Sequence, residues 1–383
     1  MSGFESDPIP CVEMATPGFV DKRRMRKTMT KEASKEKNGG FELDLIACVK
    51  MAATLGFADK GMKKTLTKEA SREDEKIVSL RRHWENCYGK DFGSFEDTTV
   101  VPPMRYTFGS IPTSATLEEG LQIFSIKVTQ LKEEEGLLWP LHVYGLIAIR
   151  DSIDPRRNLL FHRARDNCQT ITKEDPFLLL TGPSHAVVII DPVSFEVQLK
   201  AKGESESEDK VLVFDVLTSQ HAVSHMGAMG HPPPVNLSYL LGKRVSLGFA
   251  FAVLPRTVEA TISVEVVHNS WPENIPVLIT ACTASLPQVK IVLLDSKSEK
   301  VPINDSGVIM LSRHAVSVEL SGKLKVEVQA VYHGELIKGY VRFTPKKATI
   351  SYQRCSTFFC TLGITVGWSL FNESLDSDAD DLL

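Results

Sequence analysis

Long apolar runs, abundant cysteine and a strong net charge are all missing from this sequence. No stretch approaches the roughly 18 uncharged apolar residues of a membrane span, and residues 1–13 lack the apolar core of a signal peptide. The seven cysteines among 383 residues are scattered, which argues against a disulfide scaffold and favours a reduced, intracellular compartment. With 44 basic and 48 acidic residues, the chain as a whole offers no electrostatic case for nucleic acid or anionic lipid. No catalytic motif stands out, so the residues alone do not reveal the protein's activity.

The sequence does contain enough apolar residues for a sizeable core. Hydrophobic residues make up 43% and charged residues 24%, close to the average of a soluble globular protein. A length of 383 residues accommodates two domains, or one large domain with appendages.

The N-terminal region contains an internal duplication. The pentapeptide Thr-Lys-Glu-Ala-Ser at residues 30–34 returns unchanged at residues 67–71. Two copies are fewer than a solenoid needs, so the repetition indicates a recent local duplication rather than a structural array. Both copies are rich in Lys and Arg and poor in β-branched residues. We therefore expect residues 1–74 to form a basic arm that is largely disordered, with transient helix.

A basic run in this arm is the candidate for contact with RNA or the ribosome, or for nuclear import. It comprises Lys22, Arg23, Arg24, Arg26 and Lys27. Acidic residues lie close to it, and no aromatic side chains are interleaved for base stacking. A solvated segment is therefore the default interpretation.

The pattern changes after the arm. Ile77, Leu80, Trp84 and Cys87 fall at helical spacing, which predicts one amphipathic helix docked on the rest of the protein. Prolines and glycines in residues 93–112 predict a connector, so residues 75–112 form a helix-and-connector segment.

From about residue 116 the hydrophobic period is two. Phe124, Ile126 and Val128 alternate with polar residues, for example, and turn-forming residues recur every 8–15 positions or so. Alternation places one face of a strand on a core and the other in water, which is typical of antiparallel sheet. We expect an all-β, antiparallel sandwich-type body.

A segment rich in His, Gly and Pro, residues 219–236, interrupts the strand pattern. It predicts two packed β-domains, residues 113–218 and 237–371, although one double-layered body crossed by a long loop fits as well. Residues 372–383 form an acidic tail.

Several blocks of the β-rich region resemble a known plant family. They are residues 143–152, 156–161, 180–184, 195–200 and 258–264, which read VYGLIAIRDS, RRNLLF, LTGPS, FEVQLK and VEATISV. In this order they make residues 104–371 similar to the grass-expanded family of the domain of unknown function numbered 6598. The resemblance implies a stand-alone protein of unknown activity, or the downstream partner of ribosome-inactivating rRNA N-glycosidase domains in cereal jasmonate-induced proteins. The family has no established catalytic residues, so none are carried over.

One fragment of the arm resembles a motif of those N-glycosidases. Glu69-Ala70-Ser71-Arg72 is similar to Glu-Ala-x-Arg, in which the Glu stabilises an oxocarbenium-like transition state and the Arg protonates the leaving adenine. Glu73 stands where an aromatic residue is expected, and the first repeat has Lys35 in place of Arg72. We interpret the fragment as a chance match.

Two groups of residues are weak candidates for metal binding. His221, His225 and His231 would supply three imidazoles to zinc, but the surrounding glycines and prolines favour a solvated loop. Aspartates near predicted turns would supply calcium ligands, but the paired Asp-x-Asp of such a site is missing and structural turn roles are favoured. These aspartates are Asp151, Asp154, Asp175 and Asp191.

Cysteine and serine residues complete the candidates. Cys168 has His162 and His185 nearby in sequence, as a nucleophile and base would require, but a small core residue is the default interpretation. Cys355 and Cys360 are expected to be buried or idle. Phosphorylation would be possible at Ser205, Ser207 and Ser377.

These patterns favour a non-enzymatic protein-interaction module, and the resemblance implies a plant protein linked to stress or defence. A protein would bind the sandwich surface or the 219–236 loop, without a cofactor, in the cytoplasm or nucleus, with organelle targeting left open. Two alternatives remain. One is a translation- or RNA-directed protein linked to rRNA N-glycosidase biology, and the other is an enzyme whose site is assembled from dispersed loops.

Overall fold

The computed structural model describes residues 73–219, 232–297 and 300–372. The expectations for residues 1–72 of the basic arm, for His221, His225 and His231, and for residues 373–383 of the acidic tail fall outside these ranges. They stay predictions.

The predicted amphipathic helix is present, and it begins two residues before the predicted helix-and-connector segment 75–112. Helix α1 runs over Glu73–Phe92. Ile77 and Trp84 are each 2% exposed, while Cys87, which the spacing placed on the docked face, is exposed. No helix in the described ranges combines the length and the apolar character that crossing a bilayer requires.

Apart from three 3-10 helices, at Glu133–Glu135, Arg165–Asn167 and Glu206–Glu208, the regular structure in the rest of the described chain consists of β-strands. In chain order they are β1 (Glu118–Leu131), β2 (Leu141–Arg150), β3 (Asn158–Arg163), β4 (Gln169–Ile171), β5 (Val187–Val188), β6 (Val193–Ala201), β7 (Lys210–Ser219), β8 (Asn236–Leu241), β9 (Val245–His268), β10 (Val277–Thr283), β11 (Ile291–Asp295), β12 (Val308–Ile309), β13 (Ala315–Glu319), β14 (Leu324–Tyr332), β15 (Glu335–Phe343), β16 (Ile350–Ser356) and β17 (Thr361–Ser369).

These strands form three antiparallel sheets, which confirms the predicted all-β fold. The central sheet has the order β16-β17-β9-β1-β5, with β8, β12 and β13 also paired to β9. The N-terminal sheet has the order β3-β2-β6-β7, with β4 on β2, and the C-terminal sheet has the order β11-β10-β14-β15. Helix α1 packs against the N-terminal sheet, mainly at β7.

Strand β9 contributes side chains to two hydrophobic clusters, one on each of its faces. Phe249 and Phe251 lie in the cluster shared with the N-terminal sheet, whereas Ala250 and Ala252 lie in the cluster shared with the C-terminal sheet. Successive side chains of a strand point to opposite faces, so a strand covered on both faces reads as a continuous apolar run. Strand β9 therefore connects the two clusters through its opposite faces. The division into two β-domains, residues 113–218 and 237–371, stays a prediction.

Strand β1 departs from the simple alternation that the sequence predicts. Ile126 and Val128 enter the first cluster, but Phe124 enters the second. The register with β9 shifts between Ile123 and Ser125. An extra residue in a strand reverses the side to which later side chains point. The three residues therefore do not share one core.

Candidate functional site

Two of the four aspartates meet a histidine in a buried polar network. The network consists of Thr99, Asp151, Asp154 and His185, drawn from the connector, the β2–β3 turn and the segment before β5. Asp151 accepts hydrogen bonds from the backbone N–H groups of Ile153 and Asp154 at 3.2 and 3.3 Å, and from Val188 at 3.0 Å. Burial raises the pKa of the Asp151 carboxyl. This carboxyl holds the β2–β3 turn against β5.

Asp154 ties the connector to the same turn. Its Oδ2 accepts from Thr99 Oγ1 at 2.7 Å, and its Oδ1 accepts from Arg156 Nε at 2.8 Å. Burial alone would raise the pKa of Asp154, but the hydrogen bonds from Arg156 and Thr99 outweigh it and lower the pKa. His185 Nε2 lies 3.2 Å from Thr99 Oγ1, and its Nδ1 lies 3.1 Å from the Ala186 carbonyl oxygen.

The space beside this network is small. His185 and Glu259 line a cavity of about 20 Å³, enough for about one water molecule. Both carboxylate oxygens of Glu259 accept backbone N–H groups, from Met104 at 2.8 Å and Ala186 at 2.7 Å. The polar groups are therefore engaged in holding the connector onto the strands.

A second buried cluster anchors helix α1 and the connector. The carboxylate of Glu196, which is 0% exposed, forms ion pairs with Arg150 Nη2 at 2.8 Å and with Arg157 Nη2 at 2.5 Å. The Arg150 guanidinium carbon lies 4.1 Å from the Phe95 ring centroid. Strand alternation gave no signal for this ion-pair triad, because its members are separated along the chain and meet only in the folded sheet.

One strongly exposed aromatic ring, Phe358, rests on three less exposed rings beside the central and C-terminal sheets. We call these four rings the aromatic turn cluster, comprising Trp271, Tyr332, Phe358 and Phe359. Phe359 lies 5.7 Å from Trp271 and 5.1 Å from Tyr332 between ring centroids. Phe358 is 76% exposed and contacts Tyr332 and Phe359 at 6.1 and 5.6 Å. The only sequence signal for this cluster is a pair of adjacent phenylalanines in a turn, which by itself predicts no site.

The remaining candidates are dispersed. Asp175 pairs with Lys297, Asp191 is exposed, and neither joins Asp151. Across the described ranges, no three His, Cys, Asp or Glu residues are grouped to hold a metal ion.

The structure also separates the cysteine and serine candidates. His185 hydrogen-bonds Thr99 and Ala186, and within the described residues no hydrogen bond joins Cys168 to either candidate histidine. Cys355 and Cys360 are buried, and burial raises the pKa of both thiols. Ser205 and Ser207 are exposed, whereas Ser377 lies outside the described residues.

Comparison with known proteins adds a family and little else. No curated protein matches the chain. Human GIVD cytosolic phospholipase A2 is similar over 68% of this chain and 33% of its own, at 8% identity and a TM-score of 0.20. Its complex with methyl gamma-linolenyl fluorophosphonate and terbium chloride is similar at 6% identity and a TM-score of 0.21, over 67% of this chain and 32% of its own. The chain thus spans about a third of that enzyme, and scores this low carry no functional argument. Residues 120–366, by contrast, match the domain of unknown function DUF6598, and the chain belongs to that family.

Proposed function

We propose that the chain is a non-enzymatic protein-interaction module whose contact surface is the aromatic turn cluster. The observation that carries the proposal is Phe358, which is 76% exposed in the turn between β16 and β17. Exposed apolar area costs about 25 cal/mol per Å² relative to burial. A partner that covers this ring would recover that free energy.

The rings beneath Phe358 make it a preordered anchor. Trp271 donates its indole N–H to the carbonyl oxygen of Ile275 at 2.8 Å and stacks edge-on against Phe359. Phe359 in turn contacts Tyr332, which supports Phe358 from the side. Because these rings already hold one another, binding would cost little side-chain ordering entropy.

The surroundings of Phe358 indicate the partner's chemistry. Tyr332 and Phe359 border Phe358, with ring centroids 6.1 and 5.6 Å away, and form the apolar area around it. His333 and Glu335 add polar groups at the margin of this apolar area. A central aromatic anchor with a polar rim is the usual arrangement of a protein–protein hot spot. We commit to a partner protein that presents an apolar pocket to Phe358.

The biological setting belongs to the same proposal. Membership of DUF6598 and the resemblance to its grass-expanded members support a plant protein that acts inside the cell, in stress or defence. An enzymatic alternative has less support, because the buried polar network adjoins a cavity of only about 20 Å³.

Site-specific photocrosslinking tests the proposal. p-Benzoylphenylalanine would replace Phe358 in one variant and Phe108 in a control, since Phe108 is 66% exposed in the connector, outside the cluster. We expect a partner from plant extract that crosslinks at position 358 and not at position 108. The purified partner should bind Phe358→Ser at least tenfold more weakly than wild type, and Phe108→Ser unchanged.

Three results would overturn the proposal. The first is crosslinking at the two positions to the same proteins. The second is equal affinity of the purified partner for wild type and Phe358→Ser. The third is crosslinking only to a second copy of the chain, which would make the cluster a self-association surface.

A further inference from the structure

A separate surface, on the β14–β15 hairpin, concentrates positive charge. Residues 321–356 contain seven Lys or Arg and two Asp or Glu, a local excess of basic residues in a chain whose net charge is −4. We define the basic face by five residues at one end of the C-terminal sheet. They are Lys325, Tyr340, Arg342, Lys346 and Lys347.

Strand register places the first three on one flat surface. Lys325 pairs directly with Arg342, and Tyr340 lies two residues from Arg342 on the same side of β15. Tyr340 is 51% exposed. Lys346 and Lys347 follow in the β15–β16 turn. Lys323 Nζ donates to Thr344 Oγ1 at 2.6 Å and so adds charge beside that turn.

The charges of this face are only partly neutralised. Glu327 is its central acid, and it is 9% exposed and paired with Lys325 and Lys290. Within the described ranges, Arg342, Lys346 and Lys347 form no ion pair. Three fixed positive charges without a carboxylate partner attract a polyanion.

Tyr340 adds an exposed aromatic ring to the positive charges of the basic face. The Arg342 guanidinium carbon lies 4.5 Å from the Tyr340 ring centroid, and Lys325 Nζ lies 4.8 Å from it. Aromatic rings and guanidinium planes on an open sheet are the platforms on which unpaired bases stack, while nearby cations bind phosphates. An acidic peptide would use the cations but would gain nothing specific from the exposed ring.

We propose that the basic face binds single-stranded nucleic acid through base stacking on Tyr340 and Arg342 and phosphate contacts to Lys346 and Lys347. This inference rests on its own residues and is independent of the partner proposed for Phe358. Overall charge gave no case for nucleic acid, because a net charge of −4 conceals this local excess.

Fluorescence anisotropy with a labelled oligo-U RNA of about 12 nucleotides and the full chain tests the proposal. Affinity should fall with salt, and Tyr340→Ala should weaken binding at least about fivefold, as the absence of one stacked base predicts. A triple variant, Arg342→Gln with Lys346→Gln and Lys347→Gln, should reduce the salt slope by about 2, because each phosphate that a single strand pairs with a cation adds about 0.7 to that slope.

A matched triple variant controls for general charge. Arg82→Gln, Lys90→Gln and Lys300→Gln remove three exposed positive charges from other surfaces and should leave affinity within about twofold. Circular dichroism should show the same fold in every variant, and Phe358→Ser should bind the RNA like wild type.

Four outcomes would overturn the inference. Absence of RNA binding is the first. An equal decrease in affinity in the control triple variant would show that the net charge of the chain, and not the basic face, accounts for RNA binding. Unchanged binding in both face variants would place any RNA contact elsewhere, including the basic arm. Equal affinity for a poly-glutamate peptide of matched length, insensitive to Tyr340→Ala, would make the face an acidic-peptide site.

Discussion

Trp84 of helix α1 donates its indole N–H to the carbonyl oxygen of Pro155 in the β2–β3 turn, across 2.7 Å and 71 positions of sequence. The same indole lies 5.9 Å from the Phe95 ring and 5.6 Å from the Arg150 guanidinium. A single side chain thus joins the helix, the connector and the N-terminal sheet. Its removal should affect the whole described body.

We expect Trp84→Ala to lower the free energy of unfolding by about 3–5 kcal/mol, through reduced burial and an unfilled cavity. Trp84→Phe should cost less, because it keeps most of the buried area and removes only the hydrogen bond. Urea unfolding followed by circular dichroism measures both. Val78→Ala, at an exposed position of the same helix, should change stability by under about 0.5 kcal/mol. An equal effect of Val78→Ala and Trp84→Ala would contradict the docking of α1.

The buried triad predicts a large effect of neutralising its acid. Glu196→Gln would leave Arg150 and Arg157 buried without a counter-charge, and we expect a loss of about 3–5 kcal/mol in the free energy of unfolding. The control is Glu273→Gln, which removes the carboxylate of the exposed Lys300–Glu273 pair and should cost under about 1 kcal/mol. Guanidinium unfolding compares the two variants, and similar small losses would show that the triad is not needed for stability.

The stability contributed by Glu327 should depend on pH. Burial alone would raise the pKa of this carboxyl, but hydrogen bonds from Lys325 and Gln329 and the charge of Lys290 lower it to about 2. A lowered folded-state pKa means that the stabilisation is complete above the ordinary value of 4.5 and is lost as pH falls towards 2. Glu327→Gln should therefore cost about 1–2 kcal/mol at about pH 7 and less at about pH 3. Urea unfolding at both pH values tests this, with the exposed Glu133→Gln as control, and a difference that grows on acidification would contradict it.

Adjacent phenylalanines should behave differently on substitution. Phe358→Ser should change the melting temperature little, because the ring is 76% exposed. Phe359→Ser should destabilise by about 2–4 kcal/mol, because Phe359 contacts Trp271 and Tyr332 and packs against the second hydrophobic cluster. Differential scanning calorimetry makes the comparison. Strong destabilisation by Phe358→Ser would show that this ring serves the fold rather than a partner.

Thiol reactivity should separate the described cysteines. Cys87 is exposed on α1 and should react rapidly with iodoacetamide in the native protein. Cys282, Cys355 and Cys360 are buried, and burial raises the pKa of each thiol, so they should be protected until the protein unfolds. Peptide mass spectrometry after timed alkylation reports each position. Modification of Cys355 at the rate of Cys87 would contradict the packing of β16.

Hydrophobic periodicity was a good guide to local structure. Ala260, Ile262 and Val264 alternate with polar residues in the sequence, as the inner face of a strand does, and all three are buried in β9. The helical spacing of Ile77 and Trp84 likewise predicted a helix that the structure contains. Both signals are local, because they depend on the direction in which neighbouring side chains leave the backbone.

Prediction failed where packing between distant segments decides the outcome. Phe124 was grouped with Ile126 and Val128, but a register shift in β1 sends it to the other cluster. The four aspartates were assigned structural turn roles, but nothing in their spacing indicated that Asp151 and Asp154 would meet His185. Neither result follows from spacing, because bulges and turns respond to the strands that they contact.

The fold class follows from local patterns, because alternating apolar residues and frequent turns specify antiparallel strands and one amphipathic segment specifies a helix. The choice of neighbouring strands does not follow from those patterns, and it creates the Glu196 triad, the support of Phe358 and the pairing of Lys325 with Arg342. The difference arises because side-chain direction is set within a few residues. Strand pairing, by contrast, minimises the free energy of the whole chain and joins β1 to β9, which lie far apart in the sequence.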